Sequence, residues 1–231
     1  MQRRQFIKFC AASAAVSSQA LAAEDASPRL YARAKLVDED GKPLVASALP
    51  ANRNLVFDYP YVATPCFLLN LGRPLRATVR LTTEDRRSYE WRGGVGAQRS
   101  IVAYSAICAH KMTYPTHQIS FISYRNEASA RNPHAHVIHC CSEHSQYDPA
   151  RGGRVVAGPA PQPLAAILLE HDAADDSLSA IGTLGGEMFR QFFDKFRFRL
   201  ALEIGPTAHQ AVSGSAIVTP LERYCRQQVK C

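Results

Sequence analysis

Several things are missing from this 231-residue chain, and each absence excludes something. Beyond the first two dozen residues no stretch approaches the ~20 consecutive apolar residues of a membrane-crossing helix, so no membrane span is expected in the mature chain. No phosphate-cradling glycine loop, dinucleotide fingerprint or nucleophile–base triad occurs, so neither nucleotide chemistry nor covalent hydrolysis has a motif to rest on. Basic residues are not gathered on a helix or interleaved with aromatics. The excess of 27 Lys and Arg over 20 Asp and Glu is mild, and no nucleic-acid partner is expected. No internal repeat of solenoid length is present.

The N-terminus carries a targeting pattern. Arg3-Arg4-Gln5-Phe6-Ile7-Lys8 precedes a short apolar run from Phe9 to Val16, and Ala20-Leu21-Ala22-Ala23 offers a small-x-small cleavage site. This predicts a twin-arginine signal peptide over 1–23, cleaved near Ala22 or Ala23, and export to the periplasm. That route carries folded proteins, which suits a cofactor inserted before export. Loss of Arg3, Arg4 and Lys8 with the signal lowers the formal charge from +7 to about +4.

What the chain does hold is a pair of short motifs, Cys108-Ala109-His110 and Cys141-Ser142-Glu143-His144. Together they offer two thiolates and two imidazoles. That set suits a [2Fe–2S] cluster with cysteines on one iron and histidines on the other, whose potential lies above that of an all-cysteine cluster. The same four donors also suit a tetrahedral Zn²⁺ in a structural module without redox chemistry. Buried cysteines beside surface histidines, with no metal, are the third reading. Of the other cysteines, Cys10 leaves with the signal, and Cys66, Cys140, Cys225 and Cys231 remain. The periplasm permits disulfides. Cys225 and Cys231, six apart, are one pairing that would close a small loop, although spacing alone does not fix connectivity. His117, His134, His136, His139 and His171 are expected as packing or surface residues.

Residues 24–53 mix proline, charge and small side chains and read as an extended N-terminal arm. From Asn54 short strand-like runs dominate: Leu55–Tyr59, Thr64–Leu71, the alternating Ala77–Thr82, and Ser100–Ser105 leading into the first motif. Gln118–Tyr124, His136–Cys140, Leu164–Glu170 and Leu178–Ile181 continue the pattern. One helix is expected, Gly186–Phe198, with Phe189, Phe192, Phe193 and Phe196 forming a stripe that packs on the core. The division is therefore 1–23 signal, 24–53 arm, 54–184 main domain and 185–231 C-terminal extension.

The residues after the second motif, Ser145-Gln146-Tyr147-Asp148, then Gly152-Gly153 and Ala157-Gly158-Pro159-Ala160, resemble the Rieske family. There the second ligand loop runs into a Ser-x-Tyr/Phe-Asp stretch and a later Gly-Pro-Ala segment. Phe57-Asp58-Tyr59-Pro60, Thr64-Pro65-Cys66, Gly93-Gly94-Val95-Gly96, and Ile101–Ser105 running to Cys108 are similar to the small Rieske subunits of arsenite oxidases. The likeness covers roughly 54–185.

The resemblance implies an all-β fold: a Rieske-type antiparallel β-sandwich, a cluster-binding subdomain with loops 108–115 and 140–148, and a short C-terminal helical extension. It implies a [2Fe–2S] cluster on Cys108, His110, Cys141 and His144, with Ser145 and Tyr147 hydrogen-bonding to cluster or cysteine sulfur. Pro115 and Gly158-Pro159 would cover it. The chain would then be a non-catalytic redox subunit. It would relay electrons between a large molybdopterin subunit, which also holds a [3Fe–4S] cluster, and a cytochrome c or blue copper protein. A related oxyanion enzyme acting on iodate is the neighbouring expectation. A quinol-oxidising subunit of a cytochrome bc-type complex is another, and it requires a retained anchor and a loop disulfide.

Three departures stand against the pattern. Thirty residues separate His110 from Cys141, about twice the usual gap, and the excess carries Arg125, Arg131, His134 and His136. The positions of the disulfide that joins the two loops in many Rieske proteins are here Thr113 and Glu143. Ser145 and Tyr147 also sit one residue closer to His144 than usual. A register with Cys140 as the ligand keeps Ser-Gln-Tyr-Asp in place. Cys141 is the reading adopted, because Cys-x-x-His matches the family's loop.

Overall fold

The computed structural model describes residues 26–129 and 133–231. The signal peptide over 1–23 and Arg131 lie outside the described residues.

In chain order the elements are β1 (Arg29–Val37), β2 (Leu55–Asp58), β3 (Pro65–Asn70), β4 (Val79–Thr82), β5 (Ser88–Trp91) and β6 (Ile101–Ser105). Then come β7 (Ile119–Ser120), β8 (Ile122–Arg125), β9 (Val137–Cys140), β10 (Ser145–Asp148), β11 (Arg154–Ala157), β12 (Ala166–Asp172) and β13 (Ser177–Leu184). The C-terminal part holds α1 (Phe189–Glu203), β14 (Gly214–Ile217), β15 (Thr219–Pro220), α2 (Leu221–Tyr224) and β16 (Gln227–Gln228). The fold is all-β with one substantial helix near the C-terminus. Among the described residues no helix is long and apolar enough to cross a membrane.

The main sheet has the order β14-β1-β13-β12-β6-β3-β2-β15. Its pairings are antiparallel except for β1 with β14. Strands β2, β3 and β6 read as nearly unbroken apolar runs because both of their faces are covered. Val56, Phe67, Leu69, Val102 and Tyr104 enter one core. The alternate residues Leu55, Phe57, Leu68, Ile101 and Ala103 enter a second core on the other face. A smaller antiparallel sheet, β11-β10-β9-β8, is separate from the main one and carries the second motif.

Helix α1 begins three residues later than expected and runs to Glu203. Its aromatic stripe packs as predicted. Phe192 and Phe196 meet the Tyr114 ring edge-on at centroid distances of 4.8 and 5.0 Å, and Phe193 meets Tyr61 at 5.4 Å. Tyr114 belongs to the loop after Cys108, so the helix buttresses that loop. Lys195 Nζ adds a hydrogen bond to the Lys111 carbonyl at 2.7 Å.

Two boundaries change. The stretch read as an arm over 24–53 contributes β1, an interior strand held between β13 and β14. Its partners lie about 150 and 180 residues away in the chain, out of reach of local pattern. The C-terminal extension is likewise built in. β14 and β15 lie at the two ends of the main sheet, and β16 pairs in parallel with β7.

Candidate metal centre

The first ligand loop leaves β6, where all five residues are buried. It closes into a tight turn: the Cys108 N–H donates to the Thr113 carbonyl at 2.8 Å, and the Met112 N–H donates to the Cys108 carbonyl at 2.9 Å. Cys108 is thereby sealed inside, while His110 remains half-buried. The second loop is the connection from β9 to β10, in which Cys140 pairs with Ser145 and Ile138 with Tyr147. His144 takes a left-handed φ of 59° and is exposed at the loop's end. Gly158 packs so closely beneath this turn that a Cβ there would lie 2.5 Å from the His144 carbonyl oxygen.

The sulfur that meets Cys108 belongs to Cys140. The two buried thiols hydrogen-bond to each other. That bond, followed by one from Tyr147, draws the Cys108 thiol down to about 6, whereas the same bond and burial push Cys140 upward. Cys108 therefore gives up its proton more readily than an ordinary thiol, while Cys140 holds its own more tightly. Tyr147, fully buried, places its hydroxyl 3.1 Å from Cys108 Sγ and accepts the Ala109 N–H at 3.1 Å. Two polar atoms beside this pair are buried without a partner among the described residues, His110 Nδ1 and Ser145 Oγ. A sealed imidazole nitrogen and a sealed hydroxyl each cost free energy unless something absent from the protein chain satisfies them.

Cys141 is a correction to the sequence reading. Its Sγ is bonded to Cys231 at 2.07 Å, across a separation of 90 residues, and a disulfide sulfur offers no thiolate to a metal. The Cys225–Cys231 pairing is corrected with it, since Cys225 is a free buried thiol. The physical reason is strand parity. Successive residues of β9 face opposite sides, so Cys140 shares a face with Ile138 and, across the ladder, with Ser145 and Tyr147. Cys141 falls one step beyond. The alternative register, which preserves Ser-Gln-Tyr-Asp, is the one that carries this information.

His139, expected as a packing or surface residue, lies next to the second loop's cysteines. It is buried, its ring centroid lies 5.7 Å from that of His144, and burial draws its pKa down to about 4. It stands beside Cys141 and Cys231, with donor atoms of the three within 4.8 Å of one another. These three do not form a metal site while the sulfurs are bonded to each other. Cys231 Sγ is also 3.6 Å from both ring nitrogens, so neither lone pair is aimed at it. Of the insert residues, Arg125 donates to the Val229 carbonyl and His136 Nδ1 lies 3.1 Å from the Tyr124 hydroxyl. The staple positions behave differently from a disulfide: Glu143 pairs with Lys111 across the two loops at 2.8 Å.

The fold thus brings Cys108 and Cys140 together with the Tyr147 hydroxyl at Cys108 Sγ, and leaves His110 and His144 on the same two loops and the Ser145 hydroxyl without a partner among the described residues. No family model matches the sequence. Among solved structures, the chain is similar to the soluble domain of Rieske protein II (soxF) from Sulfolobus acidocaldarius, at 24% identity over 68% of this chain and 82% of that one, with a TM-score of 0.45.

Proposed function

We propose that this chain is an electron-transfer Rieske iron–sulfur subunit, and that it serves a periplasmic molybdopterin oxidoreductase of the arsenite-oxidase type. The observation that carries the first half is the buried Cys108–Cys140 pair set beside the partnerless His110 Nδ1. Two sulfurs and two imidazoles from two loops match a [2Fe–2S] group with mixed ligation. Cys108 and Cys140 would hold one iron, and His110 and His144 the other. When bound, that group supplies a one-electron couple at a potential above that of an all-cysteine cluster.

The chain's own residues serve that couple in three ways. Tyr147 donates to Cys108 Sγ and so favours the more negative, reduced state. Ser145, adjacent to His144 and with a free hydroxyl, is placed to do the same. Exposed His144 gives an electron a short way out to a partner, while the first loop is shielded by Tyr114 and α1. The chain has no substrate site in this reading and is not itself catalytic. The large subunit carrying molybdopterin and a [3Fe–4S] cluster, the cytochrome c or blue copper acceptor, and twin-arginine export follow from the sequence resemblance.

Iron and acid-labile sulfide analysis of the purified protein, with the EPR spectrum after reduction, tests the cluster. A low-average-g signal with two irons per chain is expected; zinc without sulfide would replace the redox reading by a structural one. Copurification of the native protein tests the complex: a large molybdenum subunit that turns over arsenite is expected. Turnover of another oxyanion would move the assignment to a relative, and recovery with a cytochrome bc-type complex would replace it.

A further inference from the structure

The C-terminal tail lies where the ligand set alone does not require it. From Cys225 the chain runs back along the segment that leaves the first loop. The N–H groups of Arg226, Gln227 and Val229 donate to the carbonyls of His117, Gln118 and Ser120 at 3.0, 3.1 and 2.9 Å. β16 and β7 pair in parallel along this strip. The tail then ends in the second loop, at the Cys141–Cys231 disulfide. Arg125, on β8, donates to the Val229 carbonyl and lies 3.9 Å from Cys141 Sγ. One seven-residue strip therefore touches both loops: hydrogen-bonded just downstream of the first, and covalently fixed in the second at the residue after Cys140.

Without the tail, the direct ties between the loops described above are the thiol pair, the Tyr147 contacts and the Lys111–Glu143 ion pair. That ion pair is largely exposed and so contributes little. A metal ligand must be held to within a fraction of an ångström, and its supporting residues do that holding. We propose that the tail is a positioning element of the metal centre, with Cys231, through its bond to Cys141, holding Cys140 against Cys108. The inference rests on the cluster reading above.

Opening the disulfide should then loosen the centre with every ligand still present. A phosphine reductant breaks the S–S bond, transferring two electrons; water supplies the oxygen of the phosphine oxide and the protons of the two thiols.

The test compares purified wild-type holoprotein with Cys231→Ser. Cys231→Ser should assemble the cluster but lose its visible absorbance to an iron chelator at least tenfold faster, with broadened g-values in the reduced EPR spectrum. A variant that bleaches at the wild-type rate with an unchanged spectrum overturns the inference and leaves the cluster reading standing. A wild type with no low-average-g signal overturns both. Should Cys231→Ser fail to fold, wild-type holoprotein is treated with the phosphine, and opening is scored by mass after alkylation of Cys141 and Cys231. Faster bleaching in the opened fraction supports the inference, and an unchanged rate in that fraction overturns it.

Discussion

Tyr147→Phe separates the two tasks of a single hydroxyl. The ring is fully buried and phenylalanine fills the same space, so the change removes two hydrogen bonds and almost no packing. Burial, with Cys108 beside it, pushes the phenol above its ordinary value, so it remains a donor at any physiological pH. Its oxygen accepts the N–H of Ala109, which is itself buried. Orphaning that N–H should cost about 1–3 kcal/mol of stability. In the proposed centre, the O–H directed at Cys108 Sγ would act on the redox couple. A bond to a charged group is worth about 1.5–3 kcal/mol in all, and only the part that grows when the centre gains an electron counts. Taking about 1 kcal/mol for that part, with ~1.4 kcal/mol and ~59 mV each marking a tenfold change for one electron, the midpoint should fall by about 40 mV. Potentiometric titration followed by EPR measures it. A folded Tyr147→Phe with an intact signal and an unchanged or higher midpoint would refute the tuning argument, whatever happened to stability.

Three further outcomes are expected. Cys140→Ser should abolish the EPR signal of the reduced protein, whereas Cys141→Ser should retain a signal in freshly prepared protein; the reverse pattern would return the ligand to Cys141. Gly158→Ala should cost more than 2 kcal/mol and lower cluster content, because a Cβ there meets backbone at 2.5 and 2.6 Å in a residue with φ of +83°. Gly41→Ala, at φ +78° but in open space, should cost only about 1 kcal/mol by melting. Asp58, at the end of β2, is raised by burial from 3.8 to about 7. The unfolded chain therefore ionises first, and the protein loses stability as pH rises from about 4 to 7. The shift sets a ceiling of about 4 kcal/mol, and partial exposure brings the expectation to about 1–2. Asp58→Asn should raise the melting temperature at pH 8 and leave it unchanged at pH 4; an equal gain at both would count against this account.

The strands that were legible in the sequence are those whose residues are covered on both faces. Leu55–Asp58, Pro65–Asn70 and Ile101–Ser105 show three to five consecutive residues with the apolar side chains that two cores demand. β1 was not legible, because much of its outer half is exposed, with Leu30 at 71%. Its place depends on partners far along the chain. The two- and four-residue strands near the C-terminus have no local signal at all. The helix boundary shifted for a nameable reason: a Cβ at Gly186 would lie 2.0 Å from Gln162 Oε1, and Gln162 Nε2 donates to the Gly186 carbonyl at 3.0 Å. That backbone is committed to a loop contact, and the helix starts only at Phe189.

The cysteine pair at 140 and 141 shows how the two kinds of information differ. Motif spacing favours Cys141 because it counts residues to His144. Strand parity favours Cys140, because only that residue lies opposite Ser145 and on the face of Tyr147, whose hydroxyl reaches Cys108. Parity was available in the sequence, since the Ser-Gln-Tyr-Asp register encodes it. The role of Cys141 was not, because its partner is 90 residues away and no spacing rule finds it. In the proposed centre, one step along the chain divides a ligand from a staple. On that proposal the donors come from two loops that are local in sequence, while the order imposed on them comes from residues 225–231. Shortening the chain at its C-terminal end should therefore act on the metal centre before it acts on the main sheet, since the tail's last residues pair with the loop strand β7 and with no strand of that sheet.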